Sequence, residues 1–141
     1  MQIIGFNFEK ISADRKKNMQ GKIEISSNIN IKTIEHEKID MIKDQTSLKF
    51  AFDFTIDYKP DLASLSLQGT TILLFDKERA KDILKKWKNK KIAEDIRLPL
   101  FNFIMTKCNL RALQLEEELN LPPHLPLPKI QPQQQNTNYA G

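Results

Sequence analysis

The stretch Leu119-Asn120-Leu121-Pro122-Pro123-His124-Leu125-Pro126-Leu127-Pro128 follows a long, mostly apolar segment and decides how the fold must end. Proline lacks the backbone N–H and holds φ near the polyproline value. Four prolines in seven positions therefore predict an extended path that is neither helix nor central strand. Leucines alternate with these prolines, so we expect the ribbon to lie on an apolar surface, and the rest of the chain offers surfaces of that kind.

Two helices are predicted before this ribbon. Asp76 is a good N-cap for the first helix, because its carboxylate can accept from the first turn. One apolar stripe with spacing i, i+3, i+4 and i+7 follows this cap. The stripe consists of Ala80, Ile83, Leu84 and Trp87. Lysines occupy the opposite side of the same predicted helix.

The second helix is expected to start near Ala93 or Pro99, since proline is accepted in a first turn. Its first half is apolar nearly all round, which predicts burial on more than one side. Its second half, Leu110 to Asn120, is amphipathic. Leu115 and Leu119 are expected to face inward, and the glutamates Glu116, Glu117 and Glu118 are expected to face outward.

The clearest strand is Leu48 to Asp57, in which apolar and polar residues alternate with a period of two. Its phenylalanine stripe should face a core or another subunit. A turn signal, Tyr58-Lys59-Pro60-Asp61, separates it from a partner strand at Leu62 to Phe75. Consecutive antiparallel strands joined by short turns form a meander.

Two earlier segments also alternate. Lys22 to Ile39 is the longest, with a slip near Ser27-Asn28 that indicates a bulge or a turn, and Ile4 to Phe8 is the first. Ala13 to Gln20 is expected to be a loop or a short turn. Because polar residues alternate with apolar ones along these segments, one face of the sheet should be exposed to solvent. This favours an antiparallel sheet. The prediction is an α+β fold: an antiparallel four-stranded meander, two C-terminal helices and an extended proline-rich segment.

The composition indicates one soluble domain. The chain has 141 residues, of which 40% are hydrophobic and 28% are charged. No apolar run approaches the roughly 20 residues of a membrane span, no secretory signal is visible at the N-terminus, and the single cysteine excludes an intramolecular disulfide. We expect a cytoplasmic protein with one domain at residues 1–130, and a disordered Gln/Asn-rich tail at 131–141.

Residues for catalysis or metal binding are scarce. The histidines His36 and His124 have no ligand partners at useful spacing, whereas zinc sites usually need four N or S ligands. Cys108 on an apolar helix is more simply a buried small side chain than a nucleophile. Neither a glycine-rich phosphate loop nor a nucleophile elbow is present. We expect no enzyme activity, no metal and no cofactor.

Positive charge is concentrated in two segments of this chain, whose net charge is +4. Lys10–Lys22 and Lys77–Lys91 could face phosphates, although a solvated helix face is the simpler interpretation of the second. An RNA- or ribosome-associated accessory protein is therefore the alternative function. The residues that would carry it are Lys81, Lys85, Lys88, Lys16 and Lys17.

The order of these elements resembles the SecB-type export chaperones over about Ile4 to Ile130. The similarity is sharpest at Phe6-Asn7-Phe8-Glu9-Lys10-Ile11-Ser12, in the paired strands Phe50–Tyr58 and Leu62–Phe75, at Pro99-Leu100-Phe101, and at Leu119-Asn120-Leu121-Pro122-Pro123. The resemblance implies one four-stranded sheet carrying two helices. It also implies a homotetramer, built as a dimer of dimers, that holds unfolded polypeptide clients without ATP. Family members are typically acidic and dock an export motor through that acidic surface. This chain is basic, so docking to the motor is not carried over, and a toxin–antitoxin chaperone or a free-standing homologue is an alternative role.

Resemblance and pattern together predict a chaperone-like protein, acting in protein export or quality control, that binds unfolded or apolar polypeptide through exposed apolar grooves. A structural subunit of a larger assembly is a further alternative, in which the ribbon and tail dock on a neighbour. The predicted peptide-binding residues are Phe6, Phe8, Phe50, Phe52, Phe54, Leu100, Phe101, Leu121, Pro122 and Pro123. The phenylalanine stripe Phe50, Phe52 and Phe54 has core packing as its simplest interpretation.

Overall fold

The computed structural model describes residues 1–38 and 44–128. Four strands come first: β1 (Gln2–Arg15), β2 (Glu24–Glu37), β3 (Gln45–Lys59) and β4 (Ala63–Asp76). Two helices follow, α1 (Lys77–Trp87) and α2 (Glu94–Glu118). This is the predicted α+β architecture. The predicted tail at 131–141 and part of the connector between β2 and β3 lie outside the described residues.

The strand order in the sheet is β1-β4-β3-β2, and every neighbouring pair is antiparallel. The predicted meander is present in β2, β3 and β4. β1 differs, because it lies beside β4 rather than beside β2, so residues 16–23 cross from one edge of the sheet to the other. β1 also continues to Arg15, through part of the predicted loop at Ala13–Gln20.

Register shifts determine which side chains face the helices. β1 is shifted between Ile3 and Gly5, so Ile3 packs on the core while Ile4 is exposed. Phe6 and Phe8 pack against the core as their alternation predicts. The slip predicted near Ser27-Asn28 of β2 is wrong in position, since the shift lies between Ile31 and Thr33.

The core lies between the sheet and the helices. One face of β3 is sealed along its whole length, because every second side chain points to the same face of a strand. These residues are Leu48, Phe50, Phe52, Phe54, Ile56 and Tyr58, each exposed by 1% or less. α2 covers them with Ile96, Leu100, Ile104, Cys108 and Ala112, all buried. The other sheet face carries short polar residues such as Ser64, Ser66 and Thr70 of β4.

α1 starts as predicted. The Asp76 side chain accepts from the backbone N–H of Arg79 at 2.7 Å, which satisfies a donor that the first turn leaves without a partner. Ala80 and Ile83 of the predicted stripe are buried, and Leu84 and Trp87 pack on the core from its margin. The helix therefore holds Trp87 over the β2 side of the sheet.

α2 starts at Glu94 with Ala93 as N-cap, the earlier of the two predicted positions, and Pro99 lies inside it. Asn120 ends the helix with a positive φ of 53°. The N–H of Leu121 then donates to the carbonyl of Glu116 at 2.8 Å, and that of Asn120 to Glu117 at 3.2 Å. These two bonds form a Schellman motif, which turns the chain sharply out of the helix. Neither helix in the described ranges has the length and hydropathy needed to cross a bilayer.

Candidate functional site

The proline-rich ribbon folds back along α2. We call residues 119–128 the strap; its residues 121–128 contain neither helix nor strand, as the prolines predict. Arg15, the last residue of β1, fixes the start of the strap, because its Nη1 donates to the carbonyls of Leu119 and Asn120 at 2.8 and 2.9 Å. Leu121 is buried, and Pro123 at the surface is exposed.

A buried polar cluster holds the middle of the strap. The Nδ1 of His124 lies 2.7 Å from Oε2 of Glu116, and its Nε2 lies 2.9 Å from Oδ1 of Asn109. The backbone N–H of His124 also donates to Glu116, at 3.1 Å. The side chains of His124 and Glu116 are exposed by only 2% and 1%. The expectation that Glu116 faces outward is therefore wrong, because the strap supplies partners that let its carboxylate be buried.

β3 contributes two contacts to the same region. The Tyr58 hydroxyl donates to the carbonyl of Pro122, and the ring of Phe54 meets the His124 ring edge-on at 6.3 Å. Burial, and then the charge of Glu116, raise the pKa of Tyr58 far above its ordinary value. The hydroxyl therefore stays protonated at neutral pH and remains a donor to the strap.

An open cleft of about 440 Å³ lies between β2 and α2. We call it the β2–α2 cleft. Its apolar lining comes from β2, α1, the connection to α2 and α2 itself: Ile29, Ile31, Trp87, Ile92 and Phe101. The polar Asn30 and three cations, namely Lys32, Lys90 and Arg97, complete the lining. Lys90 lies over the Trp87 ring at 4.5 Å, and the Arg97 guanidinium lies 5.3 Å from the centre of the Phe101 ring.

The strap and the β2–α2 cleft are linked through residues of β3 and α2. His124 of the strap contacts Phe54, and Phe54 pairs across the sheet with Ile29, which lines the cleft. On the helix, Asn109 binds the strap and Phe101 lines the cleft two turns nearer the N-terminus. The strap is therefore held by α2 and β3, and the cleft lies beside the N-terminal half of α2.

A cluster of aromatic rings lies on the opposite side of α2, over β1. Phe6 stacks on Phe52 at 5.4 Å and meets Phe8 and Phe103 edge-on at 5.1 and 5.6 Å. Gly69 gives this cluster room, because a Cβ there would overlap the carbonyl oxygen of Asn7 and lie 2.8 Å from Cζ of Phe52. The rings are half-buried at β1 and sealed at β3.

The structure distributes the predicted peptide-binding residues over several places. Four of them are core residues that cannot contact a ligand directly, because each is exposed by 1% or less: Phe50, Phe52, Phe54 and Leu100. Phe101 lines the β2–α2 cleft, Phe6 and Phe8 lie in the cluster over β1, and Leu121, Pro122 and Pro123 belong to the strap. Trp87, Ile29, Ile31 and Ile92 were missed as cleft residues. Trp87 ends a stripe at the rim of a helix, a signal that could have placed it there.

The basic residues of the alternative function do not form one surface. Lys81, Lys85 and Lys88 are exposed along α1 and at its end. Lys16 and Lys17 donate their backbone N–H groups to Leu62, at the opposite end of β4 from the start of α1. Asp61 binds Lys16 at 2.8 Å, and this hydrogen bond raises the pKa of Lys16 and lowers that of Asp61.

The cysteine is packed in the core. Cys108 is fully buried, and burial raises the pKa of its thiol to about 12, which leaves it protonated at neutral pH. Over residues 1–38 and 44–128, no three His, Cys, Asp or Glu side chains are grouped as metal ligands would be. The site can offer apolar surface, ring faces and cations.

Comparison with known proteins supports the fold and not a family. No protein-family model matches the sequence, and no curated protein matches it. Among solved structures, the chain is similar to a SecB-like chaperone of Mycobacterium tuberculosis solved in complex with a ChAD peptide from the HigA1 antitoxin. The TM-score is 0.53 at 11% sequence identity, over 92% of this chain and 89% of that chain. The chain therefore has a SecB-like fold, and the similar protein is a chaperone with a bound peptide.

Proposed function

We propose that this protein is a non-enzymatic, chaperone-like module that binds extended apolar segments of unfolded polypeptides. The single observation that carries the proposal is the β2–α2 cleft, an open trough lined by Ile29, Ile31, Trp87, Ile92 and Phe101. Exposed apolar surface of this kind marks binding sites, because removing such a surface from water lowers the free energy of the system.

The strap supports the choice of ligand. It is a non-helical leucine- and proline-rich segment that packs on β3 and α2, about two turns of α2 from the cleft. The sheet and α2 therefore already accommodate one segment with the chemistry that the proposal assigns to a client. Burying one large apolar side chain contributes about 2 kcal/mol, so several such contacts together are needed to offset the loss of translational and rotational freedom on binding.

The similar solved structure supports the fold that the proposal requires. It is a SecB-like chaperone that holds a peptide, and it shares the fold over most of both chains. At 11% identity this likeness carries the fold alone, so peptide binding by the present chain rests on its own cleft. The chemistry of the cleft agrees with binding rather than catalysis. The cleft presents apolar and cationic groups, and the one thiol, that of Cys108, is buried in the core.

Three further properties belong to the proposal. The resemblance to SecB-type chaperones implies a homotetramer assembled as a dimer of dimers and an activity in protein export or quality control. The composition, with its single cysteine, favours a cytoplasmic location. The mass of the purified protein by size-exclusion chromatography with light scattering tests the assembly. A tetramer is expected, and a stable monomer would remove the dimer-of-dimers proposal while leaving the cleft to be tested separately.

The direct experiment measures aggregation of a chemically unfolded client protein diluted into buffer. Light scattering should fall as the chaperone-like protein is added in stoichiometric amounts, without ATP. The variant Phe101→Asp should lose this effect, because a carboxylate would stand on the apolar floor of the cleft. The matched variant Leu98→Asp changes an exposed leucine of α2 that does not line the cleft and should retain it. Failure of the unmodified protein to bind client or to suppress its aggregation would refute the proposed function.

A further inference from the structure

We infer that the β2–α2 cleft selects apolar segments that carry acidic residues, and that it recognises aspartate or glutamate through Lys32, Lys90 and Arg97. The inference rests on the proposed function and specifies its ligand. All the charged residues that line the cleft are cations. A segment with apolar side chains on the floor and carboxylates at the rim would complement both.

The three cations come from three separate elements and converge on one opening. Lys32 lies at the register shift of β2, between Ile31 and Thr33, where an extra residue changes the direction of the side chains. Lys90 has a positive φ of 58° in the connection between the helices. Arg97 lies in the first turns of α2. Long stems of this kind pack along apolar surface while their charged ends stay in water.

Their existing partners leave them able to bind a carboxylate. Within residues 1–38 and 44–128, Lys32 and Lys90 form no ion pair. Arg97 pairs with Glu94 at 3.2 Å through one nitrogen, and the Glu94 carboxylate is 72% exposed. An exposed pair of this type contributes little free energy, so a ligand carboxylate can replace Glu94 or share Arg97 with it.

The backbone of β2 favours an extended ligand. β2 is the outer strand of the sheet and pairs with β3 alone among the described strands, so one row of its amide and carbonyl groups faces away from β3. An extended chain can pair with such an edge and place alternate side chains on the cleft floor. Acidic residues next to these apolar positions on the same face of the ligand would then meet the cations at the rim of the cleft. The ligand class is therefore an extended polypeptide segment whose cleft-facing side chains are both apolar and acidic.

Charge-matched peptides test this specificity. Three short fluorescent peptides would share the same Leu, Phe and Val positions and differ only at the remaining cleft-facing positions, which are Glu, Gln or Lys. The Glu peptide should bind about tenfold tighter than the Gln peptide at low salt, since two or three exposed ion pairs supply that much. The Lys peptide should bind most weakly. Raising the salt concentration should remove the advantage of Glu while the affinity of the Gln peptide holds.

Two triple variants separate local from overall charge. K32Q/K90Q/R97Q should bind the Glu and Gln peptides equally. K10Q/K22Q/K59Q removes the same charge from exposed positions outside the cleft and should keep the preference. Equal binding of all three peptides by the unmodified protein would overturn the inference and leave the proposed function standing. Binding of none would overturn both. Displacement of the Glu peptide by a single-stranded RNA oligonucleotide of similar length would assign the cations to phosphate instead.

Discussion

The Oε2 atom of Glu116 lies 2.7 Å from the Nδ1 atom of His124, and both side chains are almost wholly enclosed. This contact joins the last turn of α2 to the strap, eight residues further along the chain. Removing one member of a buried pair leaves the other polar group without a partner and without access to water. The free-energy cost of this is far larger than the net contribution of the intact pair. The pair therefore acts as a latch that holds the strap against α2.

Removal of the carboxylate tests this latch. Glu116→Ala should lower the free energy of unfolding by about 3 kcal/mol, because the His124 ring would lose its buried acceptor. Glu117→Ala, which removes an exposed carboxylate from the next position, should change it by less than about 0.5 kcal/mol. Urea denaturation followed by circular dichroism measures both. Equal values for the two variants would show that the latch contributes nothing to stability.

Gly69 is expected to be essential for the pairing of β1 with β4. Gly69→Ala should destabilise the protein by about 2 kcal/mol or more, since a Cβ there would overlap the carbonyl of Asn7 and crowd Phe52. Gly5→Ala is the matched control, because its Cβ would make ordinary contacts of 3.5–3.7 Å with Ile72. Thermal unfolding of the two variants is the measurement. A Gly69→Ala protein as stable as Gly5→Ala would contradict the close approach of β1.

The core and cleft aromatic residues should behave differently. Phe52→Ala removes a sealed ring and should lower the free energy of unfolding by about 4 kcal/mol. Phe101→Ser removes a half-buried cleft ring and should weaken binding of an apolar peptide about tenfold at a smaller cost in stability. Fluorescence anisotropy titration and urea denaturation of each variant separate the two effects. Undiminished peptide binding by Phe101→Ser would exclude its ring from the site.

The Cys108 thiol provides a probe of the core. Burial raises its pKa to about 12, so the native thiol should resist alkylation at pH 8 and react only when the fold opens. Because the thiol has a higher pKa in the folded state than in the unfolded state, its contribution to stability is fully present below the ordinary pKa near 9. That contribution is lost as the pH rises from about 9 toward 12, so the free energy of unfolding should fall over this range. Rapid labelling of the native protein would contradict the burial of Cys108.

The sequence predicted β3 well because only one face of this strand is fully buried, so apolar and polar residues alternate along it. Its alternation survives intact from Leu48 to Ile56, and α1 follows its stripe and its Asp76 cap equally closely. A single long face of β-branched and aromatic residues has one compatible period. The local sequence therefore determines β3 and α1. It also determines the end of α2 at Asn120, a residue type that tolerates a positive φ.

The remaining features depend on contacts between distant segments. The local sequence predicts that Glu116 faces solvent. In the structure Glu116 is buried by its contact with His124 of the strap, and no local sequence pattern predicts that contact. The placement of β1 beside β4 follows from a crossing connection rather than from alternation. The β2–α2 cleft combines residues from β2, α1, α2 and the connection between the helices, so only the assembled fold brings Ile29 and Phe101 together.

Photocrosslinking tests the central claim most directly. An apolar, glutamate-bearing peptide with a photoreactive phenylalanine would be irradiated with the protein, and the attached residues located by mass spectrometry. Crosslinks are expected at Ile29–Lys32 of β2, at Trp87 and at Phe101, and an excess of unlabelled peptide should suppress them. Crosslinks confined to the polar sheet face around Ser64 and Ser66, or to the outer lysines of α1, would contradict a polypeptide site between β2 and α2.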